Sequence, residues 1–269
     1  MVNAARVLAG SLLLALVFSA CSTVPLTGRQ QLNLIPSSQM LSMSTQEYGT
    51  FLKGNKVVAS SSSTALVRRV GERIQHAVEK YLADNNLSSR LQGYQWEFNL
   101  VDSSEVNAWC MPGGKVVVYT GILPLTKDEA GLAVVLGHEI AHAIAEHGNE
   151  RMSQQLLAQL GGAALDQALA SKPEQTRQLW NLAFGLGVQY GALLPYSRTQ
   201  ESEADHLGLI FMAMAGYDPN VALSFWQRMS SMAGQKPPEF LSTHPSDETR
   251  INQIKKELPE ALSYYHPSH

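Results

Sequence analysis

Cysteine is scarce: two residues in 269, Cys21 and Cys110. Charge is scarce too, with Asp, Glu, Lys and Arg at 16% and a formal net charge of −3. Nucleic-acid binding usually shows as a strong basic patch, and this balance offers none. Nor is there an acidic, solvating tail. Internal repeats are absent. So are convincing membrane spans. The apolar run from Val7 to Phe18 is too short and too near the terminus. Leu179–Tyr196 lacks charges, but it contains Asn181, Gln189 and several glycines and reads as a buried helix. What is present is a 45% hydrophobic composition, enough for a sizeable core in one large or two small domains.

The first residues have the layout of a secretory signal: Arg6, then the apolar run, then Ser19 and Ala20 before Cys21. Phe18-Ser19-Ala20-Cys21 resembles a bacterial lipobox, although Phe at its first position is less usual than Leu. The resemblance implies cleavage after residue 20, lipidation of Cys21 and, with Ser22 next, placement at the outer membrane. Cys110 would then stand alone, which excludes an intramolecular disulfide. It reads as a small buried apolar residue. An ordinary cleaved signal beside a chance Cys is the plainer alternative. Residues 21–45, polar and turn-rich with Pro25, Gly28 and Pro36, read as a lipid-anchored tether. Residues 46–269 form the folded domain.

Ser63–Asn85 carries Val67, Val70, Ile74, Val78 and Leu82 at helical spacing. Trp96, Phe98 and Leu100 alternate as in a strand, and Pro112-Gly113-Gly114 turns into a second strand, Val116 to Tyr119. Lys127 to about Leu160 is one long helical pattern with Asp128 in its first turn. Further helices are expected from Thr199 to Ala215, Val221 to Met232 and Thr249 to Leu258, with a loop at Pro237-Pro238. The fold expected is α+β, mainly helical, with a small sheet beside the helix that carries the chemistry.

That helix contains His138-Glu139-Ile140-Ala141-His142. Residues four apart on a helix share a face, about 6 Å apart along the axis, so both imidazoles can reach one ion. This is a standard half-site for zinc. Glu139 is turned about 100° from His138. It cannot easily join the ligand set, but it can lean over the metal and accept a proton from an activated water. The copy lies within an apolar-periodic helix, where accidental copies are rare.

A catalytic zinc takes a third protein ligand and keeps one position open. Glu146 lies a turn too far along, and His147 points to the opposite side. In Ser197–Gly208, Glu201 and Asp205 lie four apart on one face and Glu203 on the other. One acid of such a pair can bind the metal while the other fixes a ligand imidazole from behind, which suggests Glu201 as ligand and Asp205 as orienter. The spacing alone fits a solvated acidic face equally well.

H-E-I-A-H followed by E-S-E-A-D resembles the gluzincin metallopeptidases of the CAAX prenyl protease and HtpX family. Asn107–Leu123 and Ser242–Ile251 match that family's substrate-side strand and His-Pro motif. The similarity covers most of the chain after about Ser63. It implies a zincin-like fold, one zinc per chain, and Glu201 as third ligand. The lipoprotein-like start points to the periplasmic BepA-like branch, without that branch's C-terminal repeat domain. There the resemblance makes His244 a plug able to occupy zinc's open position, though it could also simply pack near the cleft. Val116, Val117, Val118 and Tyr119 would offer an exposed edge on which an extended peptide pairs through its main chain.

The expectation is a zinc endopeptidase on the periplasmic side of the bacterial outer membrane, acting on misfolded or unassembled envelope proteins. Two rivals stand beside it. One is a non-catalytic, zinc-bearing chaperone or assembly lipoprotein, against which the intact Glu139 argues. The other is an exopeptidase, for which no charged terminus pocket is evident.

Overall fold

The computed structural model describes residues 21–160, 176, 180, 197–232, 239–244 and 248–267. The expected leader over residues 1–20, most of Leu179–Tyr196 and the Pro237-Pro238 loop lie outside them.

A three-stranded sheet of β3 (Glu97–Val101), β4 (Ala108–Met111) and β5 (Lys115–Tyr119) sits at the centre, in the order β3-β5-β4. β5 runs parallel to β3 and antiparallel to β4. Every residue of β4 and β5 is buried. Strands covered on both faces read as continuous apolar runs, which is why Val116-Val117-Val118 shows no polar alternation. Phe98, Leu100, Cys110, Val116 and Val118 face the larger core, and Val101, Trp109, Met111, Val117 and Tyr119 face a second one.

The second core is capped by α1 (Ser37–Gly54), which buries Met40, Ser44 and Tyr48 at a four-residue spacing. The larger core is filled by α2 (Ser62–Asp84) and by α4 (Glu129–Ile144) beyond a short α3 (Leu123–Thr126). The Ser61 side chain caps α2 by accepting from the Thr64 amide. Asp128 does the same for α4, accepting from Gly131 N at 2.8 Å. From Gly131 to Ile144 every residue of α4 is buried. α5 (His147–Leu160) follows after a break, then α6 (Arg198–Met214), α7 (Val221–Ser231), α8 (Glu239–Thr243) and α9 (Glu248–Ser263). Ser197 and Gln200 form a capping box at the start of α6.

α4 and α6 cross in backbone contact. A Cβ built on Gly137 would lie 2.8 Å from the Gly208 carbonyl oxygen, and one on Gly208 would lie 2.9 Å from the His138 amide nitrogen. The two glycines therefore set how near α6 comes to the histidines of α4.

Four expectations need correction. The pattern from Lys127 to Leu160 is two helices, not one, because Glu146 takes φ +59 and turns the chain. The last helix runs past Leu258, through Pro259, to Ser263. Val116–Tyr119 is no exposed edge: β5 is hydrogen-bonded on both sides, and its main chain has no room for another strand. β4 is the edge strand next to α4.

The fourth correction concerns the tether. Residues 21–45 pack against the body. β1 (Cys21–Thr23) and β2 (Gln30–Leu32) form a hairpin, Val24 and Ile35 are buried, and α1 has begun by Ser37. Gln31 Nε2 donates to the Ala145 carbonyl at 2.6 Å, and Asn149 Nδ2 to that of Ile35 at 2.8 Å. Among the described residues, no helix is long and apolar enough to cross a membrane.

Candidate metal centre

His138 and His142 project from the middle and last turn of α4, Glu201 from the first turn of α6, and His244 follows α8. All four are buried. One donor atom from each falls within 4.8 Å of the others. Nε2 of His138 lies 3.1 Å from Nε2 of His142 and 3.1 Å from Nδ1 of His244. Glu201 Oε1 is 3.4 Å from His142 Nε2 and 2.9 Å from His244 Nδ1. Glu201 Oε2 is 3.5 Å from His138 Nε2. Zinc–nitrogen bonds of about 2.0–2.1 Å place tetrahedral ligands about 3.3–3.4 Å apart. The observed spacings cluster around that edge length, so the donor set fits a zinc ion.

Electrostatics agree with this use. Burial lowers His138 to about 4 and His142 well below the usual range, so both imidazoles present lone pairs. Burial alone would raise Glu201, but His244 and Arg250 outweigh it and hold the carboxylate ionised. His244 is pushed down by burial and up by Glu201 and Glu139, with a net upward shift.

Glu139 sits beside the cluster, 3.4 Å from His244 Nε2. The atom nearest that nitrogen, Oε1, makes no hydrogen bond among the described residues. Burial raises Glu139 to about 7, a suitable value for a group that takes and returns protons near neutrality.

Asp205 lies behind His138, with Oδ1 3.0 Å from the Nδ1 atom. Arg250 of α9 donates to both Asp205 oxygens at 2.8 and 2.7 Å and approaches Glu201 Oε2 at 2.7 Å. The guanidinium carbon lies over Trp226, 3.3 Å from its ring centroid. Arg250 thus ties Asp205 and Glu201 together. His147 was expected to point away. Instead its Nδ1 lies 2.9 Å from His142 Nδ1 and its Nε2 3.0 Å from Glu203 Oε2. Only a break after His142 could have signalled this, and no glycine marks one.

His244 is held from below by Phe240, whose ring centroid is 4.8 Å away and which stacks on Trp226 at 5.8 Å. Phe240 N donates to the Val106 carbonyl at 3.2 Å, two residues before the edge strand begins. On the other side of His142 a cavity of about 760 Å³ is lined by Leu41, Tyr94, Pro112, Ile144 and Asn149. Cys110 is buried, and burial raises its thiol well above the usual range, so it is no nucleophile.

Hydrolysis assisted by a divalent metal is the chemistry that such a base beside such a donor set serves, and the class is that of a metallopeptidase. The model of peptidase family M48 matches residues 69–258, and the chain belongs to that family. M48 metallopeptidases depend on zinc. The chain is 35% identical over 253 residues to the mitochondrial metalloendopeptidase OMA1 of Schizosaccharomyces pombe, covering 91% of this chain and 68% of that one. With the human mitochondrial metalloendopeptidase OMA1 it shares 34% over 259 residues, covering 94% of this chain and 49% of the relative. A beta-barrel assembly-enhancing protease of Yersinia pestis is 30% identical over 164 residues, covering 60% of this chain and 34% of that protein. These matches correct the expected bacterial outer-membrane location: the relatives similar over most of the chain are mitochondrial proteins, and the bacterial relative matches less of it.

Proposed function

We propose that this chain is a zinc endopeptidase that cleaves extended segments of protein substrates and rests in a latent state. His138, His142 and Glu201 would hold the zinc, with His244 as a displaceable fourth ligand. When bound, zinc supplies Lewis-acid polarisation at the reacting carbonyl. Glu139 takes the proton of the attacking water and returns it to the leaving amine. Asp205 and Arg250 fix the His138 ring and the Glu201 carboxylate from behind.

The observation that carries this reading is the junction of the donor cluster with the buried Glu139 carboxylate, whose Oε1 makes no hydrogen bond among the described residues and faces His244 Nε2 at 3.4 Å. A protein that only held zinc has no use for a base at that place. Among the described residues nothing pairs with the outer edge of β4, so an extended peptide can add there through main-chain hydrogen bonds. The cavity beside His142 has room for substrate side chains. The segment carrying Phe240 and His244 meets the chain just ahead of β4, so its departure would take His244 out of the donor set and open the approach to the strand together.

Zinc content and casein cleavage should be compared for wild type, His244→Ala and Glu139→Gln. The expected result is one zinc per chain in all three, cleavage about tenfold or more faster in His244→Ala than in wild type, and none in Glu139→Gln. Full zinc occupancy without cleavage by wild type or His244→Ala would favour the non-catalytic, zinc-bearing binder instead.

A further inference from the structure

The buried polar network does not end at the metal's donors. His142 turns Nε2 towards the cluster, so its Nδ1 carries the proton and donates to His147 Nδ1 at 2.9 Å. His147 then carries its own proton on Nε2 and donates to Glu203 Oε2 at 3.0 Å. With both rings neutral, each tautomer is set by the next. Glu203 is shared with the N-terminal hairpin. Arg29, which leads into β2, donates from Nε to Glu203 Oε1 at 2.8 Å and from its second terminal nitrogen to Oε2 at 2.9 Å. Thr27 Oγ1 donates to the same Oε1 at 2.8 Å. The guanidinium also forks onto Glu150 of α5, at 2.7 and 2.8 Å, and Gln200 of α6 donates to that acid at 2.7 Å.

One arginine from residues 21–35 thus bridges α5 and α6 at the point where a ligand histidine is braced from behind. We propose that Arg29 is a positioning residue of the metal centre, acting through Glu203 and His147 on the outward nitrogen of His142. The inference rests on the metal-holding part of the proposed function. It makes the hairpin a working part of the site, since a peptide bound or cut at residues 21–35 would slacken the ring of a zinc ligand. Two features support it beyond proximity. The fork geometry is met twice by one side chain, which a lysine cannot reproduce. His147 has no exposure to solvent, so no water can replace Glu203 as its acceptor.

The test uses the full chain and zinc itself. Zinc affinity is measured by competition with a chromophoric chelator for wild type, Arg29→Gln, Arg29→Lys, His147→Phe and the double variant Arg29→Gln/His147→Phe. Visible absorption of the cobalt-loaded proteins is recorded alongside. Loss of an outer partner of a ligand histidine weakens metal binding by about 10–100-fold. Arg29→Gln should sit near the lower end of that range and shift the cobalt bands, and Arg29→Lys should be intermediate. Removing Arg29 should add nothing once His147 is gone, because both act on one path. A purely structural clamp predicts unchanged cobalt bands, or losses at Arg29 and His147 that multiply; either overturns the inference. Should Arg29→Gln fail to fold, Arg29→Lys decides in its place, and wild-type affinity and spectrum in it overturn the inference. If wild type itself binds no zinc, the site reading falls and takes the inference with it. If wild type binds one zinc and Arg29→Gln matches it, only the inference falls.

Discussion

Asp205 Oδ1 lies 3.0 Å from Nδ1 of His138, the ring nitrogen turned away from the donor cluster. Both side chains are buried, and Arg250 grips Asp205 through two further hydrogen bonds. The carboxylate therefore selects the His138 tautomer whose lone pair faces the cluster.

Asp205→Asn keeps the shape and removes the charge. Zinc affinity measured by chelator competition should fall about 10–100-fold, the usual loss when an outer carboxylate is removed from a ligand histidine.

Glu139→Gln leaves the donor set in place. In the His244→Ala background, turnover on a peptide substrate should fall by at least about 10²–10⁴-fold, the share ordinarily supplied by a positioned acid–base group. Zinc content should stay at one per chain.

Glu203 connects stability to pH. Burial pushes its carboxyl up, but hydrogen bonds from His147, Arg29 and Thr27 outweigh this and hold it at about 2. A carboxylate lowered in this way stabilises the fold above its unfolded value, near 4.3, and loses that contribution as pH falls through about 2. Thermal melts of wild type and Glu203→Gln should therefore differ most above about pH 4.5, and the gap should narrow towards pH 2. A constant gap across that window would contradict this assignment.

Phe240 connects the latch to Trp226. Phe240→Leu keeps an apolar side chain there and should cost less than the 3–5 kcal/mol typical of truncation to Ala. Cleavage by the otherwise wild-type chain should rise severalfold, and the same substitution in the His244→Ala background should add no further gain. Peptide turnover in the four proteins provides the measurement.

The sequence showed most clearly what is local. His138, Glu139 and His142 lie within two turns of one helix, so spacing alone places them together. Glu201 and Asp205 are equally local on α6, but their meeting with α4 depends on the Gly137–Gly208 crossing, which no periodicity reveals. His147 was misplaced for a physical reason: an unbroken helix would carry it to the far side, and the positive φ at Glu146 resets that angle. α1 went unread because its buried stripe alternates Met40 and Tyr48 with Ser44, a residue that carries no hydrophobic signal. Strand order is non-local as well. Nothing within Val116–Tyr119 says that neighbours will flank it on both sides, and so the edge role was assigned to the wrong strand.

The bare backbones at Gly137 and Gly208 have one more consequence. They act as a spacer: the gap between the helices sets how far Glu201 of α6 stands from the imidazoles of α4 and so the size of the hole the three enclose. A methyl group there would wedge the hole wider without touching any donor atom.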